Sequence, residues 1–467
     1  MTSLIARKEF IDLTRDGRYR ILAAVVLALS LLSLGAGWRT FTDLNRQHSE
    51  AQAATRAQWL GQEKKNPHSA AHYGVYAFKP KSQLAMIDTG VDPYVGVAVW
   101  LEAHKQNEFA FRPAQDRTAI QRFGEMTGAE VLQVLLPLVI VLLGFSAFSG
   151  EREQGTLRQL MSLGVSTRAL ALGKALGITA ALSLILAPAT VMAIIALAWS
   201  SGTGLLAGDP LRTLVLAGVY GAYFLLLIAI TLTVSAAARS SRAALLVLLS
   251  FWFLNSVVAP RASADLAAAI YPTPSAIDFQ QALDRDLNDP RELNERLTRR
   301  KQELFARYGV TTVDALPVAF QGVSLQEGEN HGNEVFDRHF GALYERYEHQ
   351  NRVVQWAGLA APMLAVRSLS MGLAGTDVQQ HRHFAVAAEE YRRGIQRVLN
   401  DDILSHPTKG AYLADQGLWS RVPEFTYSAP PVPWVASHYL VSFAVLALWF
   451  SFAAWLLLRG SGRVRVD

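Results

Sequence analysis

The 467-residue chain contains no cysteine, which excludes disulfides and thiolate chemistry. It has no G-x-x-x-x-G-K-[ST] loop to cradle phosphates; Gly173-Lys174 is followed by Ala175 and lacks the upstream glycine. A nucleophile elbow and an HExxH helix are absent too, so a hydrolase has no support. Charge is scarce, at 18% of residues against 51% hydrophobic, which is too apolar for an ordinary soluble protein. The net charge of +5 is carried by basic residues beside apolar runs, not by a basic face with interleaved aromatics, so nucleic acid is not an expected partner.

The apolar residues are gathered into blocks long enough to cross a bilayer core of about 30 Å. Six spans are predicted, at 21–38, 131–148, 175–199, 213–236, 243–258 and 437–458, and none contains Asp, Glu, Lys or Arg. Ion-coupled carriers place ionisable or broken-helix sites at mid-membrane, so this absence points to a body of helices moved from outside the membrane. The run 21–38 is read as an uncleaved first span because no small-x-small cleavage site with a polar exit follows it.

Four short segments on one side of these spans are basic. They carry Arg7, Lys8, Arg15, Arg18 and Arg20; Arg152, Arg158, Arg168 and Lys174; Arg239 and Arg242; and Arg459, Arg463 and Arg465. The short loop opposite has only Arg212, so the basic side, with both termini, is expected to be cytosolic. The long segments 39–130 and 259–433 then fall outside. Asp289-Pro290-Arg291-Glu292 predicts a helix start, with Leu293, Leu297, Leu304 and Tyr308 on one face and Gly309 as the stop. Phe336, Phe340, Leu343, Tyr344 and Tyr347 form a second such face, and a third helix runs from Thr376 to about Asn400. Residues 423–433 read as an extended proline-rich strap. The apolar stretch 353–373 contains Pro362 and Arg367. A central Arg is costly in a span, and a seventh span would put the basic C-terminus outside; a helix in the outer interface or packed in the outer domain is expected instead.

Between the second and third spans lies a charged turn, 149–174, reading Glu151-Arg152-Glu153-Gln154-Gly155-Thr156-Leu157. Acidic residues at a helix start are favoured, and Gly155 permits a sharp bend. Leu157, Leu160 and Met161 offer an apolar face, and Arg158 and Arg168 offer charge to an acidic rim. The bland alternative is a charged loop that anchors two helices at the headgroups.

This segment, with the later S-x-R and G-K, resembles the cytosolic hairpin of ABC-2 type transporter permeases, and residues 1–20 are similar to their interfacial elbow helix. Leu163-Gly164-Val165-Ser166-Thr167-Arg168 lacks the proline those proteins carry there. The outer segments resemble permeases with a DUF3526 domain, through Lys65-Asn66-Pro67-His68-Ser69-Ala70-Ala71-His72-Tyr73-Gly74, Asp92-Pro93-Tyr94, Trp100-Leu101-Glu102-Ala103-His104, Leu373-Ala374-Gly375-Thr376-Asp377 and His381-Arg382-His383-Phe384. The resemblance implies an all-α integral membrane protein of six transmembrane helices with a large, mostly α-helical extracytoplasmic domain formed from two inserted segments. It implies a permease subunit of an ABC-2 type (type V-like) transporter in a bacterial inner membrane. Such a subunit exports or extrudes a substrate and pairs with a second permease, identical or related. ATP and Mg would be bound by a separate ATPase subunit, and Glu151, Arg152, Glu153, Gly155, Thr156, Leu157, Arg158, Leu160 and Arg168 would meet it.

Two other functions are open. The outer domain could pass force to an extracytoplasmic partner with nothing translocated, or serve as a metal-binding module. All eleven histidines lie outside the expected cytosolic segments. His68 and His72 are spaced to share a helix face, and His381 and His383 are close; such pairs can bind zinc or copper. With no cysteine and no obvious carboxylate partner they are read as capping, packing or solvent-facing, and no cofactor is expected in this chain.

Overall fold

The computed structural model describes residues 1–115, 126–200, 209–406 and 412–460. Most of the loop expected at 200–211, together with Arg463 and Arg465, lies outside the described residues.

Helix α1 (Thr2–Arg15) ends at Asp16, whose carboxylate accepts from the Arg18 amide and so starts α2 (Gly17–Leu60). The apolar run and the charged run that follow it form one unbroken helix of 44 residues. It ends at Leu60, and Asn66 starts the next helix: its side chain accepts from the His68 amide and Pro67 opens α3 (Pro67–Tyr73). A sheet the sequence reading did not anticipate comes next. Strands β1 (Val75–Phe78), β2 (Ala98–Glu102) and β3 (Lys105–Gln106) are antiparallel in that order, with Tyr76 opposite Trp100 and Glu102 opposite Lys105.

A capping box of Thr127 and Glu130 starts α4 (Gly128–Glu153), which takes up a π turn just before Pro137. The turn helix α5 (Thr156–Ser162) leads to α6 (Thr167–Ser200), α7 (Pro210–Ala237) and α8 (Ser241–Ile270). The fifth apolar helix runs well past 258, through a second π turn at Leu254–Val258 next to Pro260. The second long polar segment forms α9 (Ala276–Leu287), α10 (Pro290–Tyr308), α11 (Phe320–Ala357), α12 (Pro362–Ala374) and α13 (Val378–Ser405), and α14 (Leu440–Gly460) follows it. Asp289 caps α10 and Gly309 ends it at φ +65°, as its sequence predicts. Among the described residues six helices, α2, α4, α6, α7, α8 and α14, are long and apolar enough to cross a membrane.

Two main cores result. One joins α4, α6, α7, α12 and α14. The other joins Trp59 at the far end of α2, the sheet, α13 and Trp419. Helix α12 qualifies the expectation for 353–373: the helix packs in the core of the apolar bundle and not among the other helices of its segment. Met363, Leu364, Ala365, Val366, Leu369 and Leu373 are buried, and Met363, Ala365, Val366, Leu369 and Leu373 belong to the first core, while Arg367 alone on that helix is exposed. The helix needs no membrane crossing to bury its apolar residues because α7 and α14 cover them.

Candidate functional site

The two ends of the bundle differ. At one end α1, the α4–α5 hairpin and the α7–α8 turn meet. Helix α1 can lie along α6 because Gly173 and Gly177 leave room: a Cβ on either would sit 2.6 Å from side-chain carbons of Ile5 or Glu9. The spacing of these glycines therefore serves an elbow helix of the same chain.

Lys174 is the hub of this end. Its side chain is 2% exposed, and its ammonium donates to Glu9 at 3.0 Å and to Glu151 at 2.9 Å. It also lies 5.6 Å over the Phe148 ring. Lys8 stands 3.5 Å from the same Glu151. Burial works to lower the Lys8 pKa, yet the carboxylates of Glu151 and Glu9 hold it above the ordinary value. Three segments distant in sequence, α1, α4 and α6, are thus pinned by one buried cation. In the sequence Lys174 reads as the polar edge of a span, and nothing there points to Glu9.

Arg152 and Glu153 grip the α7–α8 turn by its helix ends. The Arg152 guanidinium donates to the carbonyls of Ala236 at 2.7 Å and Ala238 at 2.6 Å, which are left over at the C-terminus of α7. Glu153 accepts from the amide and hydroxyl of Ser241, both at 2.8 Å, at the N-terminus of α8. A cation at the C-terminal end and an anion at the N-terminal end each match the local helix dipole. Ser235 Oγ accepts from the amides of Phe148 and Ser149 and completes the clamp.

The hairpin turns at Gly155, at φ +75°. Thr156 donates its hydroxyl back to the Glu151 carbonyl at 3.2 Å. The expected outward apolar face is corrected here: Leu157 is 1% exposed and packs in the bundle core, and Leu160 packs against that core. The seven-residue helix turns Leu157 and Leu160 toward the bundle, and Met161 is left half-buried at its side. What faces solvent is Gln154, Arg158, Gln159, Arg168 and Leu163, which is 76% exposed.

The candidate histidines divide. His381 and His383 share no site: His381 is buried against the Phe109 ring, whereas His383 pairs with the Tyr427 hydroxyl at 2.9 Å. Burial, reinforced by Lys79, pushes the His381 pKa down to about 3. His68 and His72 do meet on α3, and His104 joins them.

At the opposite end Arg212 is buried, though the sequence presents it as a lone loop charge. It pairs with Asp209 at 2.9 Å and donates to the Leu373 carbonyl at 3.3 Å, to Gln380 at 3.2 Å and to the Pro430 carbonyl.

Apolar helices that cross repeatedly, tied by a buried cation and helix-end clamps, make this a multi-pass membrane protein of the permease class. The chain belongs to the ABC-2 transporter family: it matches the ABC-2 family transporter protein over residues 3–290, which takes in α1, the hairpin and five of the six spans. Residues 276–428 match DUF3526, a domain of unknown function. A search of curated proteins found no match.

Proposed function

We propose that this chain is the transmembrane subunit of an ABC exporter, driven by a separate ATPase that docks on the α4–α5 hairpin from the cytosol. The termini and the hairpin then face the cytosol across a bacterial inner membrane, and the residues of 39–130 and 259–433 beyond the spans lie outside. A second permease, identical or related, completes the pair that two ATPase domains require. ATP and Mg are bound by the ATPase.

One observation carries the reading. The hairpin holds α1, α6 and the α7–α8 turn through Glu151, Arg152 and Glu153 at once. A push on it therefore moves several helices as one body, which is what a chain with no phosphate loop needs. Glu151, Arg152, Glu153 and Leu157 transmit the push inward, and Arg158, Arg168 and Leu163 face the ATPase.

The test is co-purification of the tagged chain in mild detergent with its ATPase. Leu163→Asp combined with Arg158→Glu should cut the recovered ATPase at least tenfold while leaving the melting temperature within about 2 °C, since exposed positions rarely exceed about 0.5 kcal/mol. Undiminished ATPase recovery in that variant overturns the docking face.

A second reading has its own support. Arg212 ties the outer end of α7 to α12, α13 and the strap, so bundle motion reaches the outer unit. The cycle could then deliver force to an extracytoplasmic partner. Solute movement in reconstituted vesicles separates the two.

A further inference from the structure

His68 and His72 stand one turn apart on α3, and His104 is carried to them by the β2–β3 turn. Nε2 of His68 lies 3.2 Å from Nε2 of His72 and 3.5 Å from Nε2 of His104. Those separations match the edge of a tetrahedron: with metal–nitrogen bonds of about 2.0–2.1 Å, two ligand nitrogens are about 3.3 Å apart. A ligand atom from each of the three residues lies within 4.8 Å of the other two. Hydrogen bonds between neutral imidazoles use one lone pair at a time, whereas a cation engages all three.

The surroundings favour the same occupant. Nδ1 of His104 is 2.6 Å from Glu329 Oε1, and the His104 amide also donates to that carboxylate at 3.2 Å. Glu329 is itself buried and held by Arg392 at 3.5 Å. A carboxylate on one ring nitrogen fixes the proton there and leaves the other free to ligate, the arrangement found behind metal-bound histidines. His104 adopts φ +63°, the left-handed conformation that the two-residue turn between Glu102 and Lys105 calls for, and this turn carries its ring toward α3.

We propose that His68, His72 and His104 bind one first-row divalent cation of the imidazole-preferring class, zinc or copper, with Glu329 as the positioning residue. The three rings leave the fourth position on the solvent side, where His72 and His104 are exposed, for water or an incoming donor. A set of three imidazole nitrogens does not suit calcium or magnesium, which take oxygen donors. Occupancy joins α3 to the β2–β3 turn and, through Glu329, to α11, so the site spans both outer segments. It does not depend on the docking of an ATPase.

The experiment uses the full chain in detergent, stripped with a chelator. Zinc titration followed by metal analysis is expected to give one ion per chain and a rise in melting temperature. Cobalt(II) as a probe should give the intense visible bands of a four-coordinate site. His72→Ala, at an exposed position, should weaken zinc binding at least tenfold without lowering the metal-free melting temperature, and His104→Asn, which tolerates the left-handed backbone, should weaken it at least tenfold as well. Glu329→Gln should weaken it about 10–100-fold. Substoichiometric zinc in the wild type, or binding unchanged in His72→Ala and His104→Asn, overturns the proposal.

Discussion

At the scale of single residues, the outcome for Lys174 shows how much one buried charge can organise. Removing it leaves Glu9 and Glu151 facing each other without their shared cation. Breaking a buried ion pair from one side costs about 3–5 kcal/mol, and because Glu9 and Glu151 keep some solvent contact the lower figure applies. Lys174→Met is therefore expected to destabilise the detergent-solubilised chain by about 3 kcal/mol, read as a fall in melting temperature. Adding Glu9→Gln and Glu151→Gln should recover most of that loss, since the penalty lies in the stranded charges. If the triple variant melts as low as the single one, packing of the lysine stem is the cause instead. None of this was visible in the sequence. Lys174 follows a glycine at the edge of an apolar run, and its partners come from a helix at the N-terminus and from the hairpin. Ion pairing across such separations leaves no periodic trace, whereas the local chemistry of Gly155, at φ +75°, could be read directly.

At the scale of elements, local rules succeeded where the information was local. Asp289 sits at the start of α10, and its carboxyl is pulled down to about 2, first by the Arg291 side chain and then by the Arg291 amide. Its ordinary value is 3.8, so the cap contributes fully above that pH and its contribution is lost as pH falls through about 2. Asp289→Asn, which caps without ionising, should flatten this acid-side dependence in hydrogen exchange over 290–308 and leave the neutral-pH protection nearly unchanged. Identical acid profiles in the two proteins would exclude the carboxylate as the source. The same kind of reading found the six apolar helices. It missed the sheet, because the alternation that marks β1 and β2 is short and the pairing of Tyr76 with Trp100 crosses a long intervening segment. It misplaced α12 because apolarity alone does not say whether lipid or protein covers a helix. Leu157 was misdirected for a related reason: the sequence marks a residue as apolar but not the side from which it is buried.

At the scale of the whole molecule, the joint between the bundle and the segments around α13 and 423–431 is the weak point to probe. Arg212 answers the Leu373 and Pro430 carbonyls and the Gln380 amide oxygen together. Each buried acceptor left without a donor costs about 1–3 kcal/mol. Arg212→Ala should therefore lower the melting temperature sharply and expose 423–431 to protease. Arg212→Lys should restore only part of the stability, because one ammonium cannot reproduce the planar fork. Full rescue by lysine would mean that charge, not geometry, holds the joint. The histidine triad belongs to this scale as well. Two of its members could be named from their spacing on α3, but His104 and Glu329 come from a turn and from α11, and only folding brings them together.

The unbroken course of α2 has a consequence for amplitude. At 1.5 Å per residue its 44 residues make a rod of about 66 Å. Its foot rests beside α1 and α6, and its tip is fastened by Arg56 to the Val422 carbonyl and by Trp59 to the Trp419 carbonyl. A rod with no joint converts angle into distance: a tilt of about 5° at the foot sweeps the tip through about 6 Å. A lean too small to disturb side-chain packing within the bundle is thus magnified into a stroke as long as a full helical turn where the tryptophans meet.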